Sequence, residues 1–426
     1  MTDSTTDSEP TLSALIHEAG LATQVAESGR SVLLPRGTAL WRRLRQAMDE
    51  MALVAGYEEY VFPDIVDGET NVDGDAAVFQ PFSPSSLNVV HATAKGGLAR
   101  ASLWREALHS SVDPSVLAQH HAYTLRKKAG EAEEDAYTLL DLQRRYFAEI
   151  LAIPALAGAL PADQRHERST AYGLDVITPT GFSLRLAECG VLSNPSAYAV
   201  QHAALTPHLI PAILLTHLRE GKPVFPPRLA PEQAVIIPRI PSKRRLELSK
   251  LAHQIRSGLR NKIRVALDES PSSSVEQKQE LWASRGAPIQ VLIGDEDLDH
   301  RQVELIRRDT GEREVISVNF LTDRVNLMLT EIQEGMLERA FEAREGMLIE
   351  PNSVDDLAGK LDDAPGYALA AWDGDAASAL RIHEATGCAV TLLPFGAEAE
   401  AIGRSCLGSG NEARYAAIFA RQHPVF

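Results

Sequence analysis

Between Ala234 and Glu345 short apolar runs alternate with amphipathic stretches of helical period, a rhythm that leaves few architectures open. Ala234 to Ile240, Pro288 to Gly294, Gln302 to Arg308 and Arg313 to Val318 read as strands; Ser242 to Leu267 and Val325 to Glu345 read as helices. Strands and helices in alternation predict a sheet covered by helices. Just upstream, Phe225-Pro226-Pro227-Arg228-Leu229-Ala230-Pro231 cannot continue a helix, because proline lacks the backbone donor and its ring clashes with the preceding turn. That segment is expected to mark a domain boundary.

The first half is less regular. Leu40 to Ala55 carries Trp41, Leu44, Met48, Met51 and Leu53 at helical spacing and stops at Gly56, after which Tyr57 to Pro63 reads as a strand. Glu131 to Ile150 is a second long helix, ended before Pro154. Thr170 to Leu186 reads as a hairpin around Pro179-Thr180-Gly181, and Ala203 to Leu218 as an apolar helix or strand-helix segment. A smaller α/β unit follows Glu350-Pro351-Asn352, and residues 1–12 read as a flexible tail.

Composition removes several function classes. The chain of 426 residues has 58 Asp+Glu against 42 Lys+Arg, a formal charge of −16, which argues against tight nonspecific nucleic-acid binding. Apolar residues make up 44%, enough for two to three ordinary domain cores. The longest apolar stretch, Leu209 to His217, is far short of the roughly 20 residues needed to span a bilayer, and no membrane association is expected. Met1 to Thr11 has neither the basic nor the apolar part of a signal peptide, so a cytoplasmic location is expected. Cys189, Cys388 and Cys406 form no CxxC pair, which excludes a disulfide scaffold. There is no P-loop, GxGxxG after a strand, HExxH, GxSxG or EF-hand loop. Gly408-Ser409-Gly410 reads as a turn.

Several stretches together carry a resemblance. Phe225-Pro-Pro-Arg-Leu-Ala-Pro-Glu-Gln-Ala-Val-Ile-Ile-Pro238 resembles the junction between the catalytic and anticodon-binding domains of prolyl-tRNA synthetases. Pro288-Ile-Gln-Val-Leu-Ile-Gly-Asp-Glu-Asp-Leu298 and Val303-Glu-Leu-Ile-Arg-Arg-Asp-Thr-Gly-Glu312 resemble that family's anticodon-binding domain. Gly366-Tyr-Ala-Leu-Ala-Ala-Trp-Asp-Gly-Asp375 and Thr391-Leu-Leu-Pro-Phe395 are similar to the small C-terminal domain of its archaeal and eukaryotic type. Arg36-Gly-Thr-Ala-Leu-Trp41 to Phe62-Pro63 resembles the first class II motif, and Glu133 to Pro154 the helix after the second. The resemblance is collinear from about residue 30 to the C-terminus.

It implies a class II synthetase-like antiparallel sheet with helices over residues 13–225, an anticodon-binding-like α/β domain over 226–345 and a small α/β C-terminal domain over 346–426. It also implies a homodimer formed through the first motif. The family's chemical residues are replaced. The second-motif arginine falls on Asp113 and the nearby glutamate on Val116; the third-motif arginine falls on His208 and the glycine after it on Pro211. The Thr-x-Glu loop that helps hold the amino acid becomes Pro84-Ser-Ser-Leu87, and the strand Gln-Ala-Gly-Thr-Ser-His becomes Arg185-Leu-Ala-Glu-Cys-Gly190. An Asp where a phosphate-binding Arg belongs reverses the sign of the interaction, so ATP and Mg are expected only if the pocket has been rebuilt as another ligase. The four cysteine positions of the family's zinc site are Asp373, Ser378, Cys406 and Ser409, and one thiol with two hydroxyls is a poor Zn²⁺ set.

Candidate pocket residues are therefore Asp113, His121, Arg185, Glu188, Cys189 and His208. Arg185 either holds a ligand carboxylate bidentately or pairs with Glu188. Cys189 has no activating base in view and reads as inert and buried. The histidines His91, His120, His121, His202, His208 and His217 read mostly as surface or satisfied polar groups, with His208 placed in the pocket by its inherited position. Arg307, Arg308 and the run Lys243-Arg244-Arg245 either face RNA or form solvated surface, and the acidic balance favours the second. The function these readings favour is a prolyl-tRNA synthetase-like protein without proline activation that binds a small molecule or a protein partner. The others are a repurposed ligase and a tRNA-binding protein.

Overall fold

The computed structural model describes residues 11–24, 31–56, 58–59, 100–106, 118–126, 128–165, 168–194, 197–204, 206–240 and 242–423. Phe62-Pro63, Pro84 to Leu87, His91, Asp113 and Val116 lie outside the described residues. By their contacts the described residues form two compact units, one drawn from 1–45, 148–153 and 211–342, the other from 46–147, 154–210 and 343–426.

The strands begin as β1 (Ala22–Gln24), β2 (Ser31–Leu33), β3 (Glu58–Glu59), β4 (Arg100–Glu106), β5 (Ala118–Arg126), β6 (Leu156–Ala159) and β7 (Arg168–Ile177). They continue as β8 (Phe182–Asn194), β9 (Ala197–Ala204), β10 (Leu218–Arg219), β11 (Lys222–Pro223), β12 (Ala234–Pro238), β13 (Val265–Leu267) and β14 (Ile289–Ile293). The last are β15 (Gln302–Arg307), β16 (Arg313–Ser317), β17 (Leu348–Ile349), β18 (Tyr367–Trp372), β19 (Cys388–Pro394) and β20 (Tyr415–Gln422).

The first unit is built on a five-stranded sheet of order β13-β12-β14-β15-β16, with β12 parallel to β13 and β14 and the last two strands antiparallel. Side chains alternate across a strand, so Ala234 and Ile236 pack with Leu248, Ile255, Val325 and Ile332 while Val235 and Ile237 pack with Trp282 and Ala287. Covering on both faces explains why β12 and β14 read as continuous apolar runs. Helices Arg245–Leu259 and Leu321–Gly346 cover one face through stripes at three- and four-residue spacing. On the other face lies Val275–Ser284, begun by a capping box: Gln277 N donates to Ser274 Oγ at 3.2 Å and Ser274 N to Gln277 Oε1 at 2.8 Å.

One reading of this region is corrected. The helix from Ser242 does not reach Leu267; its apolar stripe ends at Leu259, the polar Arg260-Asn261-Lys262 follows, and Val265–Leu267 pairs with Ala234–Ile236 as an edge strand. Pro226-Pro227 lies in the last segment of the first unit, which runs from residue 211 to 342. The prolines follow strand β11 without ending the packing, and Phe225, Leu229 and Ala230 are fully buried.

His217 belongs to this core. Its Nε2 donates to the Leu151 carbonyl at 2.9 Å, and burial first, with Arg339 adding to it, lowers its pKa to about 4 against the pull of that hydrogen bond. A histidine lowered on folding contributes its full stability above its unfolded pKa of about 6.5 and loses it as pH falls towards 4. The 2.5-unit difference corresponds to about 3 kcal/mol. Urea denaturation followed from pH 7 to pH 4.5 is expected to show a shallower loss in His217→Gln than in the wild type; identical slopes would contradict this.

The second unit contains an eleven-stranded sheet of order β17-β18-β20-β19-β6-β7-β8-β9-β5-β4-β3, antiparallel from β18 to β4. Ala129–Glu149 lies on it and buries Ala132, Ala136, Leu139, Leu140, Tyr146 and Phe147. The C-terminal strands join this sheet instead of forming one of their own: β19 pairs with β6 at Leu393↔Ala159 and Pro394↔Gly158, and β20 also pairs with β8 at Arg421↔Phe182 and Gln422↔Ser183. A Cβ at position 158 would stand 2.5 Å from the Leu393 carbonyl oxygen, so the junction requires glycine. Among the described residues no helix is long and apolar enough to cross a membrane.

Candidate functional site

The hairpin β7–β8 positions the pocket candidates of the second unit. Its register runs Tyr172↔Cys189, Gly173↔Glu188 and Leu174↔Ala187, then shifts so that Asp175 faces Arg185. Without that shift Arg185 and Glu188, three apart on one strand, would point to opposite faces; the extra residue brings them to the same one. Gly173 leaves room there, since a Cβ on it would stand 3.0 Å from the Arg185 guanidinium carbon.

The guanidinium of Arg185 is consumed by the chain. Nε donates to Asp175 Oδ1, Nη1 to Glu188 Oε1 at 3.1 Å, and Nη2 to the Thr391 carbonyl at 2.9 Å. Glu188 Oε2 accepts from Arg168 Nη2 at 2.9 Å, and Asp175 Oδ2 accepts from Ser183 Oγ at 3.2 Å. Two arginines and two carboxylates thus form a neutral, part-buried network. Burial pushes the Asp175 carboxyl above its ordinary range, against the charge of Arg185 that pulls it down. Of the two readings of Arg185, the ion pair with Glu188 is present, with Asp175 and Arg168 as members that the sequence did not single out. Neither the 10-residue separation of Asp175 and Arg185 nor the register shift between them has a sequence signature.

His208 lies at the start of helix Thr206–Thr216, its Nδ1 2.6 Å from the Arg185 carbonyl. A carbonyl only accepts, so Nδ1 carries the proton. Burial lowers the pKa below 6.5, which leaves the ring uncharged at neutral pH and unable to do what a phosphate-binding arginine does. Cys189 is fully buried, its Sγ donating to the Ala136 carbonyl at 3.3 Å, and burial pushes its pKa far up; no thiolate forms there. His121 stands on β5 between Leu103 and Ala203 of the neighbouring strands. Asp113 lies outside the described residues.

In the first unit Arg307 turns inward, donating to Asp309 at 2.9 and 3.1 Å and to Glu331 at 3.4 Å, with 13% of its side chain exposed. Arg308 Nε and Nη2 are buried without a hydrogen-bond partner. Arg244 pairs with Glu247 and Asp299. Arg307 is thus held by carboxylates of its own chain.

Asp373, Ser378, Cys406 and Ser409 do come together. Asp373 Oδ1 accepts from Ser378 Oγ at 2.5 Å and Oδ2 from Ser409 Oγ at 2.6 Å, while the Trp372 indole donates to Ser378 Oγ at 3.0 Å. Burial works to raise the Asp373 pKa, but hydrogen bonds from Ser378, Ser409 and Cys406 hold it down at about 2. The four positions fit a hydrogen-bonded cluster and do not fit Zn²⁺, whose sites are closed by thiolates and imidazoles. Among the described residues no group of three or more His, Cys, Asp or Glu is arranged to hold a metal ion.

Residues 233–326, which hold the five-stranded sheet of the first unit and the start of its last helix, match the model of an anticodon binding domain. Along its length the chain is similar to proline–tRNA ligase 2 of Clostridioides difficile (25% identical, covering 96% of this chain and 95% of that one). It is similar to proline–tRNA ligase of Porphyromonas gingivalis strain W83 (24% identical, 96% of each) and to that of Alkaliphilus oremlandii (23% identical, 93% and 92%). Similarity to proline–tRNA ligases thus runs through nearly the whole of both chains, with an anticodon binding domain in place.

Proposed function

We propose that this protein is a member of the prolyl-tRNA ligase family that does not activate proline and serves as a binding or regulatory protein on a degenerate class II synthetase fold. The observation that supports this most is the closed network of Asp175, Arg185, Glu188 and Arg168, which fills inherited amino-acid positions with charges that satisfy one another. Uncharged His208 at an ATP-arginine position supports it too, because a developing phosphate charge finds no cation there. In this reading ATP and Mg have no catalytic role, the Asp373 cluster replaces zinc, and tRNA is a minor partner, since Arg307 and Arg244 are engaged with carboxylates. The protein acts in the cytoplasm as a homodimer; Leu53 and Val54, 58% and 91% exposed at the end of helix Pro35–Val54, supply apolar surface for that contact.

Thermal unfolding with millimolar ATP, proline and a non-hydrolysable prolyl-adenylate analogue tests the reading. A ligand at about 100 times its Kd adds about 2.7 kcal/mol, a shift of several degrees. No shift is expected with any of the three; a rise of several degrees with the analogue would contradict the proposal.

A further inference from the structure

In the first unit Arg36 and Arg285 repel one another, as do Arg264 and Arg43, and Glu232 attracts both Arg36 and Arg264, in a chain of formal charge −16. Arg36 and Arg285 lie against Trp282, their guanidinium carbons 5.8 and 4.9 Å from its centroid, and the ring holds both planes by cation–π attraction. Arg36 Nη2 donates to the Arg285 carbonyl at 2.6 Å and stands 3.0 Å from Glu232 Oε2. That oxygen nevertheless receives no directed hydrogen bond, because Nη2 is aimed at the carbonyl. Arg36 Nε and Nη1 and Arg43 Nε are likewise buried with no hydrogen-bond partner. Arg264, by contrast, spends its donors on the carbonyls of Ala230, Pro227 and Arg228.

Buried cationic donors without acceptors are unfavourable, and so is the surplus of positive charge where Arg36 meets Arg285 and Arg43 meets Arg264. An entering oxyanion relieves both. We propose that this cluster binds a phosphate group, with Arg36 and Arg43 supplying the unpaired donors and Trp282 holding Arg36 and Arg285 in orientation. A phosphate dianion answers the surplus better than a carboxylate, and its tetrahedral oxygens suit donors from separate side chains, whereas a planar carboxylate suits one fork.

The test is titration of the full-length protein with inorganic phosphate at constant ionic strength, read by calorimetry and thermal shift, with chloride as control. Saturable binding is expected. Arg43→Gln, which removes a part-buried cation, is expected to weaken it at least tenfold. Glu232→Gln, which removes the competing carboxylate, is expected to tighten it several-fold, an effect a purely structural cluster would not produce. No saturable binding in the wild type, or equal affinity in all three proteins, would overturn the proposal. Competition with a short single-stranded RNA then assigns the source: displacement points to a polynucleotide backbone, and unchanged phosphate binding to a free phosphate-bearing molecule.

Discussion

Arg185→Met is expected to destabilise the second unit by about 3–5 kcal/mol, the usual effect of removing one partner from a buried ion pair. Asp175 is 1% exposed and depends on Arg185 for its principal countercharge, so methionine leaves a buried carboxylate with the Ser183 hydroxyl but without that charge. Glu188 keeps Arg168 and is hurt less. Because burial already favours the protonated form of Asp175, the variant should regain part of the loss at acid pH. Adding Asp175→Asn should recover much of it at neutral pH, since the unpaired charge is then gone. Amide exchange in β7 and β8, followed with urea denaturation, measures these effects. A wild-type midpoint in the single variant would mean that Arg185 is held for a ligand and not for the fold.

Phe225→Ala carries a comparable loss in the first unit, about 3–5 kcal/mol. The ring is fully buried, and the Phe225 amide donates to the Gly286 carbonyl at 3.0 Å, which ties the segment before the prolines to the loop after helix Val275–Ser284. Pro226 and Pro227 hold the following backbone stiff, so the space left by the ring cannot be closed by local relaxation. Phe225→Leu should cost much less, because it keeps most of the buried volume. Equal effects of the two substitutions would show that the site collapses freely.

Where burial dictated the residues, the sequence was readable. β12 and β14 are covered on both faces and therefore appear as short continuous apolar runs, and Ala129–Glu149 shows its buried stripe from Ala132 to Phe147. The hairpin at Pro179-Thr180-Gly181 was visible in its turn residues, and Gly181 does adopt a positive φ of 79°. Edge strand β13 was lost in the preceding helix because three residues cannot display a period. The joining of β19 to β6 depends on a contact between Gly158 and Leu393, far apart in the chain, which no local pattern records. The site was half legible for the same reason: resemblance placed Arg185, Glu188 and His208 in one pocket, while Asp175 and Arg168 entered it only through hairpin register. Arg307 and Arg308 looked like an exposed basic pair because the carboxylates that engage Arg307, Asp309 and Glu331, could be located only in three dimensions.

ATP–pyrophosphate exchange across the twenty amino acids, beside an active prolyl-tRNA ligase, is the measurement that bears most directly on the proposed loss of activation. Exchange is expected to be at background with every amino acid, proline included, from folded protein. Exchange with proline at the level of the control would contradict the account outright, and exchange with another amino acid would make the protein a ligase with a rebuilt pocket.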